Sequence, residues 1–311
     1  MKAANVVRLW AKAIRVDQWT KNGFVMMAWF FSVADSSQKT LARGWTSLAI
    51  AVAMAGAFSL VSSAFYLLND VSDYEADRLH PVKRFRPIAC GLLDRITAVR
   101  AALVLFAIGF AYPALVVMIL PSRTLAFGTM LAYTVMQCLY TGFLKRVPYV
   151  DVVTLSLGFV LRAVAGAAII DAYVSPWLLV TTFTLSMFLA FSKRLNERAV
   201  ASESRAVLKH YHPAILSSLI VLAGFASVAE YLVYTLTSAM GERFGYLWLT
   251  SVFVFLGIVR YAFLAFGGAG ARHAVHAVSA GRPEKVLLTD RVLWLVLAGY
   301  AVSAALAVIV K

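Results

Sequence analysis

The sequence predicts an all-α integral membrane protein, a bundle of nine transmembrane helices formed by residues 1–311 as a single polytopic domain. Three observations predict it. Apolar residues make up 61% of the 311 and charged residues 14%, with a mean hydropathy of +0.79, whereas a soluble domain carries about a quarter charged residues. Apolar stretches close to the ~20 residues needed to cross a bilayer recur along the whole chain. Lysine and arginine gather between those stretches, where membrane topology places them.

The elements follow in order. Over residues 1–15, Val6, Val7, Leu9, Trp10, Ala13 and Ile14 alternate with Arg8, Lys12 and Arg15, the pattern of an amphipathic helix lying along the interface. This basic segment carries Asp17 and lacks a compact apolar core and a cleavage site, so it reads as a retained cytoplasmic segment and not as a signal peptide. Spans are expected at about 22–37, 46–68, 97–119, 123–142, 150–171, 175–192, 213–236, 245–266 and 290–310. Arg8, Lys12, Arg15 and Lys21 precede the first; Arg78, Lys83, Arg84, Arg86 and Arg95 follow the second; Lys145, Arg146, Lys193, Arg194, Arg198, Arg205, Lys209, Arg272, Arg282 and Lys285 follow later even spans. The other side receives Lys39, Arg43, Arg123 and Arg243. This bias sets the N-terminus in the cytoplasm of a cell (inner) membrane protein and the C-terminus outside. The same distribution accounts for the net charge of +14 without a nucleic-acid partner. Cys90 and Cys138 have no metal-like or paired spacing. The long inner connections, near 69–96, 193–212 and 267–289, mark the cytoplasmic face as the working one.

Chemistry is concentrated in one stretch. Of fifteen acids, four fall between residues 70 and 77, in Asn69-Asp70-Val-Ser-Asp73-Tyr-Glu75-Ala-Asp77. On a helix Asp70, Asp73 and Asp77 share one face with Asn69 at its edge. Like charges so spaced repel, so the cluster points to a hard cation, and Mg²⁺ takes carboxylate and phosphate oxygens. The next segment, His80-Pro81-Val82-Lys83-Arg84-Phe85-Arg86-Pro87, reads as a stiff basic loop, since prolines bracket its cations. Carboxylates beside fixed guanidinium groups form a site for a metal-bound diphosphate.

Asn69-Asp70-x-x-Asp73-x-x-x-Asp77 after the second of nine spans resembles the first aspartate motif of the UbiA superfamily of membrane prenyltransferases. The resemblance covers nearly the whole chain and implies a helical bundle with a cytoplasmic active-site cavity. Where that superfamily has a second acidic motif after span six, this chain reads Phe191-Ser192-Lys193-Arg194-Leu195-Asn196-Glu197-Arg198. That departure, together with Gln18-Trp19-x-Lys21-Asn22, the loop from His80 to Pro87, Gly158-Phe-Val-Leu-Arg162-Ala-Val-Ala-Gly166 and Lys193-Arg194, is similar to the decaprenyl-phosphate phosphoribosyltransferase branch. The resemblance implies transfer of 5-phosphoribose from phosphoribosyl pyrophosphate (PRPP) to a polyprenyl phosphate, with Mg²⁺ as cofactor, supplying a lipid-linked pentose for cell-envelope glycan. It also implies a substrate-binding role for Lys21 and Asn69.

PRPP has a diphosphate and a 5-phosphate, so it calls for a metal clamp and a second, basic site. Asp70, Asp73 and Asp77 suit the first; Lys193 and Arg194, or Lys83, Arg84 and Arg86, suit the second. Asp151, Gly158, Arg162 and Gly166 fall on one stripe of span five. Arg162 is an ionisable group inside a span, expected to face the cavity and bind phosphate; Tyr140 and Lys145 lie close enough in sequence to reach the same cavity. His210, His212, His273 and His276 have metal-like spacing without acidic partners. Two other readings stay open: a prenyltransferase moving a polyprenyl chain from its diphosphate to an aromatic acceptor, and a lipid-binding protein or transporter without chemistry. A homo-oligomer is compatible with either enzyme reading.

Overall fold

The computed structural model describes residues 3–34, 44–80, 83–201, 206–270, 286 and 289–309. The expected outer cations Lys39 and Arg43, the loop prolyl Pro81, and Arg205, Arg272, His273, His276, Arg282 and Lys285 lie outside the described residues. The regular elements described are all helical. Six are long and apolar enough to cross a membrane, beginning at Trp45, Arg95, Val150, Pro176, Pro213 and Leu247. The expected spans at 123–142 and 290–310 appear as helices, Thr124–Gly142 and Arg291–Ile309, outside that six. The first carries Thr129, Tyr133, Thr134 and Gln137 among its apolar residues; the second has a shorter apolar stretch, Arg291–Ala307.

The expected span at 22–37 is helical over its described residues, 22–34, but in two forms. Val16–Met26 is an 11-residue 3-10 helix, and α-helix begins only at Met27. Gly23 and the polar run Thr20-Lys21-Asn22 weaken α-helix here, and the polar side chains find partners in neighbouring helices instead, as described below.

Two compact units divide the chain: Met1–Gly142 with Leu161–Val174, and Phe143–Val160 with Ser175–Lys311. The first contains α1 (Ala3–Ala13), α2 (Met27–Ala34), α3 (Trp45–Ser72), α4 (Tyr74–Leu79), α5 (Arg95–Ile119), α6 (Thr124–Gly142) and the second half of α7 (Val150–Ile169). α3 is its axis. At 28 residues it is about 42 Å long, and Ala57, Phe58, Val61, Ala64, Phe65 and Leu67 are buried along it. α5 packs closely on α3 because its contact residues are small: Ala98 and Ala102 are fully buried, and a Cβ at Gly109 would meet Val61 Cγ2 and the Ala57 carbonyl. Phe65 and Phe106 meet edge to face, centroids 5.1 Å apart. Asp94 caps α5, accepting N–H bonds from Ile96 and Thr97, which holds its carboxyl below the usual carboxylate range. α1 follows the expected amphipathic pattern in its second half, where Ala13, Trp10 and Ile14 pack onto Ala64, Leu67, Ile88 and Leu93; Val6 and Val7 of the expected apolar set are exposed together with Arg8.

The second unit contains the first half of α7, α8 (Pro176–Ala201), α9 (Pro213–Thr237), α10 (Ala239–Arg243), α11 (Thr250–Gly270) and α12 (Arg291–Ile309). Its core is Phe188, Phe191, Leu195, Leu216, Ile220, Tyr261 and Leu293. Arg260 Nη2 donates to Asp290 Oδ2 at 2.7 Å and its Nε to Oδ1 at 3.2 Å, tying α11 to the start of α12. The outward faces are apolar too. Val221, Leu222 and Phe225 on α9 are more than 60% exposed, a surface that suits lipid tails and not water.

Gly166 tests the packing of the first unit directly. A Cβ there would collide with the backbone carbonyl of Val25, so Gly166→Ala should cost about 1–3 kcal/mol and lower the thermal midpoint of the detergent-purified protein. Gly128 in α6 has no atom within 4 Å of its Cβ position; Gly128→Ala should leave the midpoint unchanged or raise it by the equivalent of about 0.5–1 kcal/mol.

Candidate active site

The acidic motif lies where α3 gives way to α4. α3 ends at Ser72, and Asp73 takes a bridge-region conformation (φ −91°, ψ 11°) between the two helices. The three carboxylates therefore do not continue one uninterrupted helical face. The break is mild, because Asp73 N–H bonds the Asn69 carbonyl at 2.8 Å and Asp77 N–H bonds the Asp73 carbonyl at 2.8 Å. This α-type spacing keeps Asp70 and Asp77 on one side.

These two acids are nearly enclosed, at 4% and 2% exposure. One nitrogen of Arg86, Nη1, lies 3.1 Å from Asp70 Oδ1 and 2.5 Å from Asp77 Oδ2. Arg15 Nη2 reaches Asp70 Oδ1 at 2.5 Å, and Lys83 Nζ stands 4.0 Å from Asp77 Oδ1. The acidic motif and the basic segment after it thus form one cluster. Asn69, at its head, has a buried Oδ1 with no hydrogen-bond partner among the described residues. Among the described residues no three His, Cys, Asp or Glu side chains group as a metal site; Asp70 and Asp77 are joined through Arg86.

The basic segment is built as a 3-10 turn, Lys83–Phe85, and not as an irregular loop. Lys83 N–H donates to His80 Nδ1 at 3.2 Å, which needs a neutral imidazole acceptor. Arg84 is exposed, with its guanidinium over the Phe85 ring at 4.8 Å. Lys12 Nζ donates to the Phe85 carbonyl at 2.9 Å, fastening α1 to the turn.

A second network lies in the same unit. Arg162 is buried; its Nε donates to Asn22 Oδ1 at 2.7 Å and its Nη2 to Tyr133 Oη at 2.8 Å and Ser62 Oγ at 3.4 Å. Its guanidinium also sits 4.6 Å from the centroid of the Tyr133 ring. Asn22 Nδ2 donates to Ser59 Oγ, Gln137 Nε2 donates to Tyr133 Oη, and Trp19 Nε1 donates to Ser63 Oγ. These bonds strap the 3-10 segment to α3 and α7, and Arg162 ties Tyr133 of α6 into the same network. Lys21 Nζ donates to Gln18 Oε1 at 2.5 Å. Tyr140, in the last turn of α6, is half-buried.

In the second unit Arg194 is enclosed. Its Nε donates to Asp151 Oδ2 at 2.8 Å and its Nη1 to Glu197 Oε2 at 2.5 Å, and Lys193 Nζ lies 3.7 Å from Glu197 Oε1. Tyr211 donates to Asp151 Oδ1 and accepts the Tyr149 N–H at 2.9 Å. Burial first, then the Asp151 carboxylate, pushes the Tyr211 phenol well up. Lys145 is half-buried in the turn Leu144–Arg146.

The sequence marks Arg15 as a polar residue of the amphipathic segment and an inner-face charge, and it does not single out Tyr211 or Tyr133. Arg15 lies 55 residues from its partner Asp70, a separation no local spacing encodes. Its sequence signal is its place at the end of the amphipathic segment, separated from Gln18-Trp19 by Val16 and Asp17.

His80 gives the cluster a pH signature. Burial, then the cations Lys83 and Arg86, hold its pKa below the ordinary 6.5, against the opposing pull of Asp77. The unfolded chain therefore takes up a proton near pH 6.5 that the folded chain refuses. The stability this group contributes is complete above pH 6.5 and is lost as pH falls through the folded value. Between pH 7 and pH 5 the thermal midpoint should fall further for the wild type than for His80→Asn; equal slopes would remove this assignment.

Comparison with known proteins gives the cluster its context. Residues 24–296 match the family model described as the UbiA prenyltransferase family. The chain is 32% identical over 309 residues, 96% of either chain, to a protein of Mycobacterium tuberculosis named decaprenyl-phosphate phosphoribosyltransferase. It is 34% identical to one of the same name from Corynebacterium glutamicum, over 91% of this chain and 81% of that one. In fold it is similar to a UbiA homolog from Archaeoglobus fulgidus bound to GPP and Mg²⁺, with a TM-score of 0.66, 15% identity, and 96% and 99% of the two chains covered. A match across most of the chain, on a helical fold of the same kind, shows that this chain belongs to the UbiA prenyltransferase family.

Proposed function

We propose that this enzyme transfers 5-phosphoribose from PRPP to a polyprenyl (decaprenyl-type) phosphate, releasing pyrophosphate, with Mg²⁺ as cofactor. The observation that carries the reading is the single nitrogen of Arg86 bonded to both Asp70 and Asp77. It joins the acidic motif and the basic segment in one cluster, which supports reading them as a single phosphate-handling site. The name shared by the two relatives, decaprenyl-phosphate phosphoribosyltransferase, supports a phosphoribosyl group as the moiety transferred and a polyprenyl phosphate as acceptor.

The donor set fits a hard divalent cation. Asp70, Asp77 and the orphaned Asn69 Oδ1 supply oxygen ligands of the kind magnesium takes, with Asp73 on the adjoining turn. A bound cation would draw charge from the departing pyrophosphate. Arg86 and Lys83 are placed to donate to the same diphosphate, and Arg84, exposed at the turn, adds to its positive field. Lys21 and Arg162 serve phosphate on the strapped side of the first unit, and Tyr140, in the last turn of α6, is a further ligand of that unit. Lys145 and Lys193 are phosphate ligands of their own unit, with Arg194 fixing Glu197 and so Lys193.

A phosphate monoester is largely dianionic at neutral pH, so the acceptor oxygen attacks the anomeric carbon without a general base. The new C–O bond forms as the bond to pyrophosphate breaks, with inversion at that carbon. Catalysis then consists of positioning and of stabilising the leaving group. We place the reaction at the cytoplasmic face of the cell (inner) membrane, in a nine-span bundle with the span at 22–37 (the end of the 3-10 segment continued by α2), α6 and α12 completing the count and the C-terminus outside.

Purified protein given Mg²⁺, a polyprenyl phosphate and ribose-labelled PRPP should move label into extractable lipid, and EDTA should stop it. Asp70→Asn and Asp77→Asn should each lower turnover by about a hundredfold or more, and NMR of the product should show the β configuration. Label absent from lipid, with prenyl transfer to an aromatic acid from a polyprenyl diphosphate in its place, would establish the other transferase reading.

A further inference from the structure

Arg15 and Arg86 close the solvent side of the acidic pair: their side chains are 27% exposed, while those of Asp70 and Asp77 are 4% and 3%. Two buried negative charges are thus already matched by two guanidinium groups, with Lys83 beside them. A divalent cation entering such a pair either displaces the guanidiniums or leaves the cluster with excess positive charge. Both are unfavourable for the metal alone. A diphosphate changes the balance, since it accepts from displaced guanidiniums or offsets the added charge.

We infer that Arg15 is a further substrate-positioning residue, parked on Asp70 until metal and diphosphate arrive together and then handed to the diphosphate. This rests on the reading of the cluster as a metal and diphosphate site.

The local structure is made for such a hand-over. Arg15 sits in the left-handed region (φ 55°, ψ 55°) between α1 and the 3-10 segment. Its guanidinium is stacked over the Tyr66 ring, 4.6 Å from the centroid. Ser63 Oγ fixes the residue before it by donating to the Ile14 carbonyl at 2.8 Å, and Trp19 and Asn22 fasten the segment after it to Ser63 and Ser59. With the backbone held on both sides, the free motion of Arg15 is that of its side chain. A short swing changes its partner from carboxylate to phosphate without moving the strap.

By linkage, metal and anion must strengthen each other's binding by the same factor, here about tenfold or more. Electron paramagnetic resonance of Mn²⁺ with the purified full-length protein reads this with inorganic pyrophosphate as the probe, after correction for Mn²⁺–pyrophosphate complex in solution. Wild type should bind Mn²⁺ weakly alone and about tenfold more tightly with pyrophosphate. Arg15→Gln should bind Mn²⁺ more tightly than wild type without anion and lose most of the enhancement, while Arg15→Lys keeps an intermediate value. Thermal melting of each variant separates these shifts from misfolding. Equal Mn²⁺ affinity with and without pyrophosphate, or an unchanged enhancement in folded Arg15→Gln, overturns the inference. Enhancement without ribose transfer would leave the inference standing and remove the PRPP reading; ribose transfer without enhancement would do the reverse.

Discussion

Two buried carboxylates, Asp70 in the last turn of the membrane-length helix α3 and Asp77 on the short helix α4 after it, are held by one guanidinium nitrogen of Arg86. Burying unpaired charge is costly by several kcal/mol per ion, so the acids require partners in the same enclosure. That requirement explains the turn that follows. The Lys83–Phe85 segment has to fold back along α4, and Lys12 and His80 are spent on fixing it there. It also explains why α1 and the 3-10 segment lie where they do, since Arg15 completes the charge balance from far away in sequence.

The strap that carries Arg15 depends in turn on Arg162. A cation within a helix of membrane-spanning length is expensive, and here Asn22, Tyr133 and Ser62 meet it. One turn further along α7, Gly166 lets the Val25 backbone come into contact. The same stretch of α7 thus holds the 3-10 segment by a hydrogen bond and by close approach. A polar core and a missing side chain together set the position of the residues that reach the acids.

Helices, their order and the acidic motif were legible because each rests on local pattern. Apolar stretches mark α3, α5 and α7 to α9 directly, and the spacing of Asp70 and Asp77 survives the break at Asp73. The 3-10 segment was not legible as such: Phe24 to Val33 is apolar enough to read as a span, and its conformation is set by contacts with Ser59, Ser63 and Gly166 that lie far off in sequence. The same holds for the site. Arg86 was legible beside its acids, whereas Arg15 looked like any inner-face cation. Arg194, read as a presented cation, is enclosed by Asp151 and Glu197, a pairing across 43 residues on one side that no spacing announces.

The most direct test of the cluster is diffraction from crystals grown with Mn²⁺ and pyrophosphate, with anomalous differences collected at the manganese edge. The account predicts an anomalous peak within coordination distance of Asp70 or Asp77 and of Asn69 Oδ1, with Arg86 turned toward phosphate. A well-occupied manganese ion elsewhere, with Arg86 still bridging the two acids, would contradict it.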